Sequence, residues 1–406
     1  MEIRPTYLIM VTTANNNKFY NCFPEGNTFR VEYGRVDSTV TTVRYPISDW
    51  DRKIKEKLKK GYKDITDLKA DLVSEATAKN PDENYKQIEN EVIRKIVDTL
   101  QSLAKETVRK NYTIAASAVT QAMVDKAQEV INELATIDTG VNAFNNKLLK
   151  LFEAIPRKMT HVNNYLAQSK DEFAKIIQRE QDLLDVLAGQ VYVKPEVVET
   201  DDNKTTAEQT ILEELGLVFE EVDDEDVKLI KKLMNESKDK FRNAWRVKNL
   251  KTQERFDRFV ADNDIKDTKL LFHGSRSENF WSIIKTGLVL RPTNAVITGK
   301  MYGFGCYFAP KCQKSIGYTS LAGSYWAGGS SNKAYMAIFE VAYGTPYNVY
   351  TFDSKYYSLN YDELQKFQKG AHCLHAHAGT GMLRNDEIVV YKEEQMTIKY
   401  LIEIGN

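Results

Sequence analysis

The sequence predicts a multidomain α+β protein: a small β-sheet with one helix, an all-α bundle, then a mixed α/β region rich in antiparallel strands. Three observations carry this. A length of 406 residues exceeds one ordinary domain and suits two or three. The apolar periodicity changes from strand-like to helical near residue 85 and becomes mixed after residue 211. Between those regions, PEVVETDDNKTTAEQT (195–210) is polar and acidic, as a linker would be.

The first region, 1–75, opens with TYLIMVTT, KFYNCF, TFRVEYGRV and STVTTVRYPI, short β-branched and aromatic runs separated by Asn, Gly and Asp turns. A helix is expected from Ser48 as its N-cap, with Trp50, Ile54 and Leu58 on one face and Gly61 as its stop. Its other face carries Arg52, Lys53, Lys55, Lys59 and Lys60. A Lys-rich helix face is either simply solvated or a phosphate-binding surface. The second region, 85–194, carries apolar stripes in EVIRKIVDTLQSLAKETV, AVTQAMVDKAQEVINEL and FNNKLLKLFEAI. A fourth helix is expected after a capping box of Ser169 and Glu172, burying Phe173, Ile176, Ile177, Leu183, Leu184 and Leu187. The third region, 211–406, pairs a strand in LGLVFEEV with a helix in DEDVKLIKKLMNESK. VKNLKTQERFDRFV and NFWSIIKTGL mix strand and helix signals, and strands dominate after residue 300.

Composition narrows the class. Apolar content of 42% and charged content of 28% suit globular cores. No apolar run nears the roughly 20 residues that span a bilayer, and MEIRPTYLIMVTT does not read as a signal peptide. Four cysteines without a CxxC pair fit a reducing, intracellular setting. Nuclear and bacterial cytoplasmic settings both stay open. The net charge of −1 hides an asymmetry, with 50–63 strongly basic and 196–226 strongly acidic.

Three stretches could carry chemistry. In LLFHGSRSENF, His273 ends an apolar run and is followed by Gly274, Ser275, Arg276 and, further on, Asn279. A lone histidine there is a satisfied structural residue or a ligand contact, and glycine beside it lets backbone approach a ligand. In MYGFGCYFAPKCQKSIGYTS, Gly303 and Gly305 do not complete a dinucleotide motif, but Tyr307, Ser315 and Tyr318 flank a Gly-rich turn. An exposed ring there could stack on a flat heteroaromatic. In LRNDEIVVYKEE, Glu387 opens an otherwise apolar strand, as a solvated edge residue or as an acid held for chemistry. AHCLHAHAG gathers His372, Cys373, His375 and His377, which metal chemistry could use, though without a second cluster.

Taken together, LFHGSR, GCYFA, KSxxY and NDEIVVY resemble the catalytic domain of poly(ADP-ribose) polymerases, with its His-Tyr-Glu signature. VEYGRV followed by DWDRKIKEKLKKGYKDIT resembles that family's WGR domain. SAVTQAMVDKAQEVINEL and LLKLFEAIP resemble its regulatory helical domain. The resemblance implies an NAD+-dependent protein poly(ADP-ribosyl)transferase, activated by DNA strand breaks through the WGR and helical domains. Its partners would be DNA ends or nicks and protein acceptors, including the chain itself, with no membrane and no metal.

Residue by residue, the resemblance implies that Gly274 and Ser315 clamp the nicotinamide carboxamide and Tyr318 stacks on its ring. Tyr307 closes the other side of that pocket. His273 meets the adenine-side ribose with Ser275 and Asn279 near it, and Glu387 meets the nicotinamide-ribose 2′-hydroxyl. The catalytic set is therefore His273, Tyr307 and Glu387. Arg291 is a further candidate for the pyrophosphate, and 372–377 is expected to be an active-site loop. On the DNA side the resemblance points to Tyr33, Arg35, Lys53, Lys57 and Lys60, with Tyr33 standing where the family has tryptophan. Three rival readings remain: a transferase adding single ADP-ribose units, limited by a short acceptor loop at 351–375, a catalytically silent DNA-binding scaffold, and a zinc protein built on the His372 loop.

Overall fold

The computed structural model describes residues 3–69, 85–113, 119–190, 209–290 and 301–406. Most of the expected 195–210 linker and Arg291 lie outside these residues. The chain divides into two compact units, one of residues 1–83 and 105–197, the other of 84–104 and 198–406.

The first unit begins with strands β1 (Thr6–Val11), β2 (Asn17–Glu25), β3 (Thr28–Arg35) and β4 (Thr41–Pro46). Helix α1 (Trp50–Lys59) and the short strand β5 (Lys63–Asp64) follow. The sheet runs β4-β3-β2-β1-β5, with every neighbouring pair antiparallel. Period-2 alternation puts Leu8, Tyr20, Cys22, Phe29 and Val31 on the face that Trp50 of α1 covers. The expected N-cap at Ser48 is not used. Pro46 leads into a 3₁₀ turn over Ile47–Asp49, and α1 starts at Trp50 with the Asp49 carboxylate bonded to Arg52.

Helices α2 (Glu91–Asn111), α3 (Gln121–Leu134), α4 (Val141–Ala154) and α5 (Phe173–Ala188) come next, and α2 contributes residues to both units. Helix α3 packs against α4 and α5, and Phe144 stacks on Phe173 at 3.9 Å. Within the first unit, polar bonds join the sheet to the segment between α4 and α5. Asn17 Nδ2 donates to the Arg157 carbonyl at 3.0 Å, and Arg35 donates to the Met159 and Thr160 carbonyls. The expected capping box at Ser169 is absent. Ser169 leads into a 3₁₀ turn, and the Glu172 carboxylate accepts the Gln168 N–H instead, so α5 begins at Phe173.

The second unit holds α6 (Ile211–Glu214), β6 (Leu217–Glu221), α7 (Asp224–Met234), β7 (Phe241–Asn249), α8 (Leu250–Asp262), β8 (Thr268–Gly274) and α9 (Phe280–Thr286). It continues with β9 (Cys306–Phe308), α10 (Cys312–Ile316), β10 (Lys333–Ala342), β11 (Pro346–Val349), α11 (Tyr361–Phe367), β12 (Cys373–Ala376), β13 (Glu387–Val390) and β14 (Met396–Gly405). One antiparallel sheet runs β6-β7-β14-β10-β8, and a second runs β11-β12-β13-β9, parallel only between β11 and β12. Their cores are Ile338, Ile402 and Phe272 with α7 and α10 in one case, and Leu374, Val389 and Tyr302 with α11 in the other. A two-residue bridge, Phe272 to Ala309, stitches the edge strand β8 to the residue after β9. Within 372–377, expected as a loop, Cys373–Ala376 form β12 in the middle of the second sheet. Leu374 and Ala376 enter the core while Cys373 and His375 face the other way.

Candidate active site

The site lies where the two sheets of the second unit meet, and β8 supplies its first wall. Phe272 turns its N–H and C=O outward to Ala309, at 2.9 and 3.0 Å. Antiparallel strands send the main-chain groups of alternate residues to the same side. Gly274 therefore points its N–H and C=O to that same outer edge, one step past the bridge, as a paired donor and acceptor. Only glycine fits there, because a Cβ would lie 1.9 Å from the Ser315 carbonyl oxygen. Helix α10 is thus pressed directly against β8, and Ser315 Oγ donates to the Phe272 carbonyl at 3.2 Å.

His273 Nδ1 lies 3.1 Å from the Tyr307 carbonyl. A carbonyl only accepts, so Nδ1 carries the proton and Nε2 is left as a bare acceptor. Burial pushes the His273 pKa down, against the raising effect of that carbonyl, which keeps this neutral tautomer. Next to it, Asn279 Nδ2 donates to Ser275 Oγ at 3.0 Å. Asn279 Oδ1 is buried without a hydrogen-bond partner among the described residues. A bare imidazole nitrogen and, on the segment that follows it, a buried acceptor without a partner suit a ligand that brings hydroxyl donors, as a ribose does.

Tyr307 sits in β9, its phenol fixed between the Gly303 carbonyl, to which it donates at 2.9 Å, and the Tyr302 N–H. Burial raises its pKa far above the usual phenol range. The close packing needs Gly303, which has φ +74° and Leu359 backbone 2.1 Å from any Cβ. Tyr318 follows α10. Burial and the Glu387 charge push its phenol up to about 12, and its ring is stacked with Trp326 at 6.1 Å.

Glu387 opens β13, opposite Ala376 of β12, and is 5% exposed. Burial lifts its pKa, and Lys314 pulls the other way, with Nζ 2.7 Å from Oε1. The Lys314 ammonium also faces the carbonyls of Asn385 and Asp386, both at 3.5 Å. Sequence reasoning missed Lys314. Its neighbour Ser315 carried the signal, since side chains one apart on α10 reach different parts of one site, and a buried carboxylate needs a cation somewhere.

His273, Gly274, Ser275, Asn279, Tyr307, Ser315, Tyr318 and Glu387 all lie in this second unit. Short contacts join His273 to Tyr307, Gly274 to Ser315 and Ser275 to Asn279, and the Glu387 charge acts on Tyr307 and Tyr318. The five residues expected to meet DNA lie in the first unit. Lys53 covers the Tyr45 ring at 4.1 Å, Lys57 covers Tyr20 at 4.4 Å, and Lys60 pairs with Glu56 at 2.7 Å. Tyr33 packs on Tyr20. Arg35 donates to the carbonyls of Asn15, Met159 and Thr160 and to Asn15 Oδ1, which makes it a tie between β3 and the segment before α5.

Comparison with known proteins bears on the second unit most directly. Residues 224–406 match the model of the poly(ADP-ribose) polymerase catalytic domain. A poly(ADP-ribose) polymerase-like protein, 100L, of Invertebrate iridescent virus 6 is 37% identical over 166 residues, 39% of this chain and 83% of that protein. Protein 101L of the same virus, uncharacterized, is 34% identical over 187 residues, 45% of this chain and 76% of its own. Poly(ADP-ribose) polymerase 2 of Arabidopsis thaliana is 30% identical over 168 residues, 36% of this chain and 25% of the plant protein. The chain belongs to the poly(ADP-ribose) polymerase family and is an NAD+ ADP-ribosyltransferase.

Proposed function

We infer that the chain transfers ADP-ribose from NAD+ to protein side chains, extends the first ADP-ribose into a polymer, and is switched on by DNA breaks. In this reading Gly274 gives its N–H to the nicotinamide carboxamide oxygen and its C=O to the amide, with Ser315 Oγ completing the clamp. Tyr318 and Tyr307 enclose the ring. His273 Nε2 and Asn279 Oδ1 accept hydroxyl protons of the adenine-side ribose.

The observation that carries the reading is the buried Glu387 carboxylate beside Lys314. When the ribose C1′–N bond breaks, its electron pair leaves with nicotinamide and the sugar becomes oxocarbenium-like. A carboxylate held in a low-dielectric wall stabilises that charge more than water would. It also orients the acceptor hydroxyl, takes its proton as the new C1′–O bond forms, and does the same for a terminal ribose during elongation. Lys314 opposes the rise in the acid's pKa that burial causes. Labelled NAD+ with the wild type should give products that lengthen on a gel. Glu387→Gln should lose about a hundred- to a thousandfold in transfer, taking removal of one electrostatic group as the guide. Products that stop at one ADP-ribose would retain the transferase and remove the polymerase. Unchanged transfer in the variant would sink the assignment of Glu387.

DNA activation rests on the first unit: the resemblance of 1–75 to a WGR domain and the basic face of α1, where Arg52, Lys55, Lys59 and Lys60 are exposed. The same assay run with and without nicked duplex tests it. Equal rates would remove the DNA switch.

A further inference from the structure

We propose that His375, His377 and Asp386 form a binding site for a divalent transition ion of the zinc class, next to the segment that carries Glu387. The two histidines fall on one side of β12 and its continuation. The β12–β13 register pairs Ala376 with Glu387, so one step further His377 comes opposite Asp386. One ligand atom from each of the three lies within 4.8 Å of the other two.

The hydrogen bonds around the group are those a metal site needs. His377 Nε2 lies 2.8 Å from Asn348 Oδ1, an acceptor, so Nε2 carries the proton and Nδ1 is bare. In the neutral ring that bare nitrogen faces Asp386 Oδ2 at 3.9 Å, beyond hydrogen-bond reach, so two electron-rich atoms point towards each other. A cation resolves this arrangement. Asp386 Oδ1 accepts the Ala378 N–H at 2.8 Å, which fixes the carboxylate and turns Oδ2 inward. His375 Nε2 is 3.0 Å from the same Oδ2, and its Nδ1 is 2.7 Å from the Tyr343 hydroxyl. The hydroxyl can accept as well as donate, so His375 can shift its proton to Nδ1 and offer Nε2 to a metal. Each ligand thus has an outer partner, the usual arrangement for histidine and carboxylate ligands.

Two imidazoles and one carboxylate suit zinc over magnesium or calcium, with a fourth position open to water. Bonds of about 2.0–2.2 Å require the three side chains to close by on the order of 1 Å. Side-chain exposures of 13%, 27% and 34% leave an entry path. The site also has a reason to matter. Asp386 precedes Glu387, and its carbonyl receives Lys314, so an ion fixing Asp386 would stiffen the start of β13.

The test is calorimetric titration of ZnCl2 into the full chain, without a histidine tag and stripped by chelator, alongside variants checked by circular dichroism. Wild type should take up one equivalent with a dissociation constant below about 10 μM and show a higher unfolding temperature with zinc. Asp386→Asn and His377→Ala should weaken binding at least about a hundredfold, while Asn348→Ala, which keeps all three ligands, should weaken it about ten- to a hundredfold. His161→Asn, a histidine of the first unit and not one of the three ligands, should bind as wild type does. Absence of a bound equivalent, or equal affinity in Asp386→Asn and Asn348→Ala as in wild type, would overturn the proposal. Should His377→Ala fail to fold, the other two variants decide it.

Discussion

Gly274 shows how much of the chemistry depends on one absent side chain. A Cβ would sit 1.9 Å from the Ser315 carbonyl, and the clashing atom is backbone, so α10 must retreat from β8. Gly274→Ala is expected to lower kcat/KM for NAD+ by about a hundredfold or more through misplacement of the clamp, and to cost about 1–3 kcal/mol in stability through overpacking. Steady-state kinetics and thermal unfolding check both. His273 makes a pH prediction. Its folded pKa is depressed by burial, so its stabilising neutral form is fully present above the ordinary histidine range and is lost as pH falls through the depressed value. Protonation also removes the Nε2 acceptor. KM for NAD+ should therefore rise on the acid side, while KM unchanged down to that limb would remove His273 from the ribose contact. Lys314 moves a different group. Without its cation the Glu387 carboxyl rises further, so Lys314→Met should shift the acid limb of kcat to higher pH. An unmoved limb would mean that Lys314 does not tune the acid.

At the scale of elements, what the sequence showed depends on whether the signal was local. The strands of the first sheet and Glu387 at the head of an apolar strand were legible, because alternation and a lone carboxylate in EIVV are properties of neighbouring residues. Helix starts were less so. Ser48 and Ser169 have the composition of caps, yet Ser48 lies inside a 3₁₀ turn, Ser169 precedes one, and the bonds go to Arg52 and Gln168. The loop expected at 372–377 comes from the family resemblance and not from a local signal in AHCLHAHAG. Only tertiary pairing with β11 and β13 makes it a strand. The Lys314–Glu387 pair, 73 positions apart by its residue numbers, was invisible for the same reason. Another such pair holds the helices of the first unit. Arg157, 3% exposed, meets Glu180, 1% exposed, and Arg179 joins it. Removing one partner strands a buried charge, so Glu180→Gln should destabilise that unit by about 3–5 kcal/mol, whereas replacing the pair by apolar residues of matching volume should cost far less. Denaturant midpoints of the single and paired variants check this, and equal losses would show that packing rather than charge holds the site.

At the scale of the whole molecule, a formal charge of −1 conceals a chain whose basic helix lies in one unit and whose NAD-binding candidates lie in the other. Long-range steering of DNA therefore depends on local fields and not on net charge. The α1 lysines divide by role. Lys53 and Lys57 lie over aromatic rings and support the fold, while Lys55 and Lys59 are exposed, so charge reversal at the latter pair alters the field while sparing the packing. Every DNA phosphate that a lysine ceases to neutralise should reduce the slope of log affinity against log salt by about 0.9. Lys55→Glu combined with Lys59→Glu should therefore lower affinity for nicked duplex and flatten that slope by up to about two such steps. NAD+ turnover without DNA should stay at the wild-type rate, because neither residue belongs to the unit that holds the site. A reduced DNA response with intact basal turnover would tie the switch to α1. An unchanged salt slope would show that DNA, where it acts, is met by another surface.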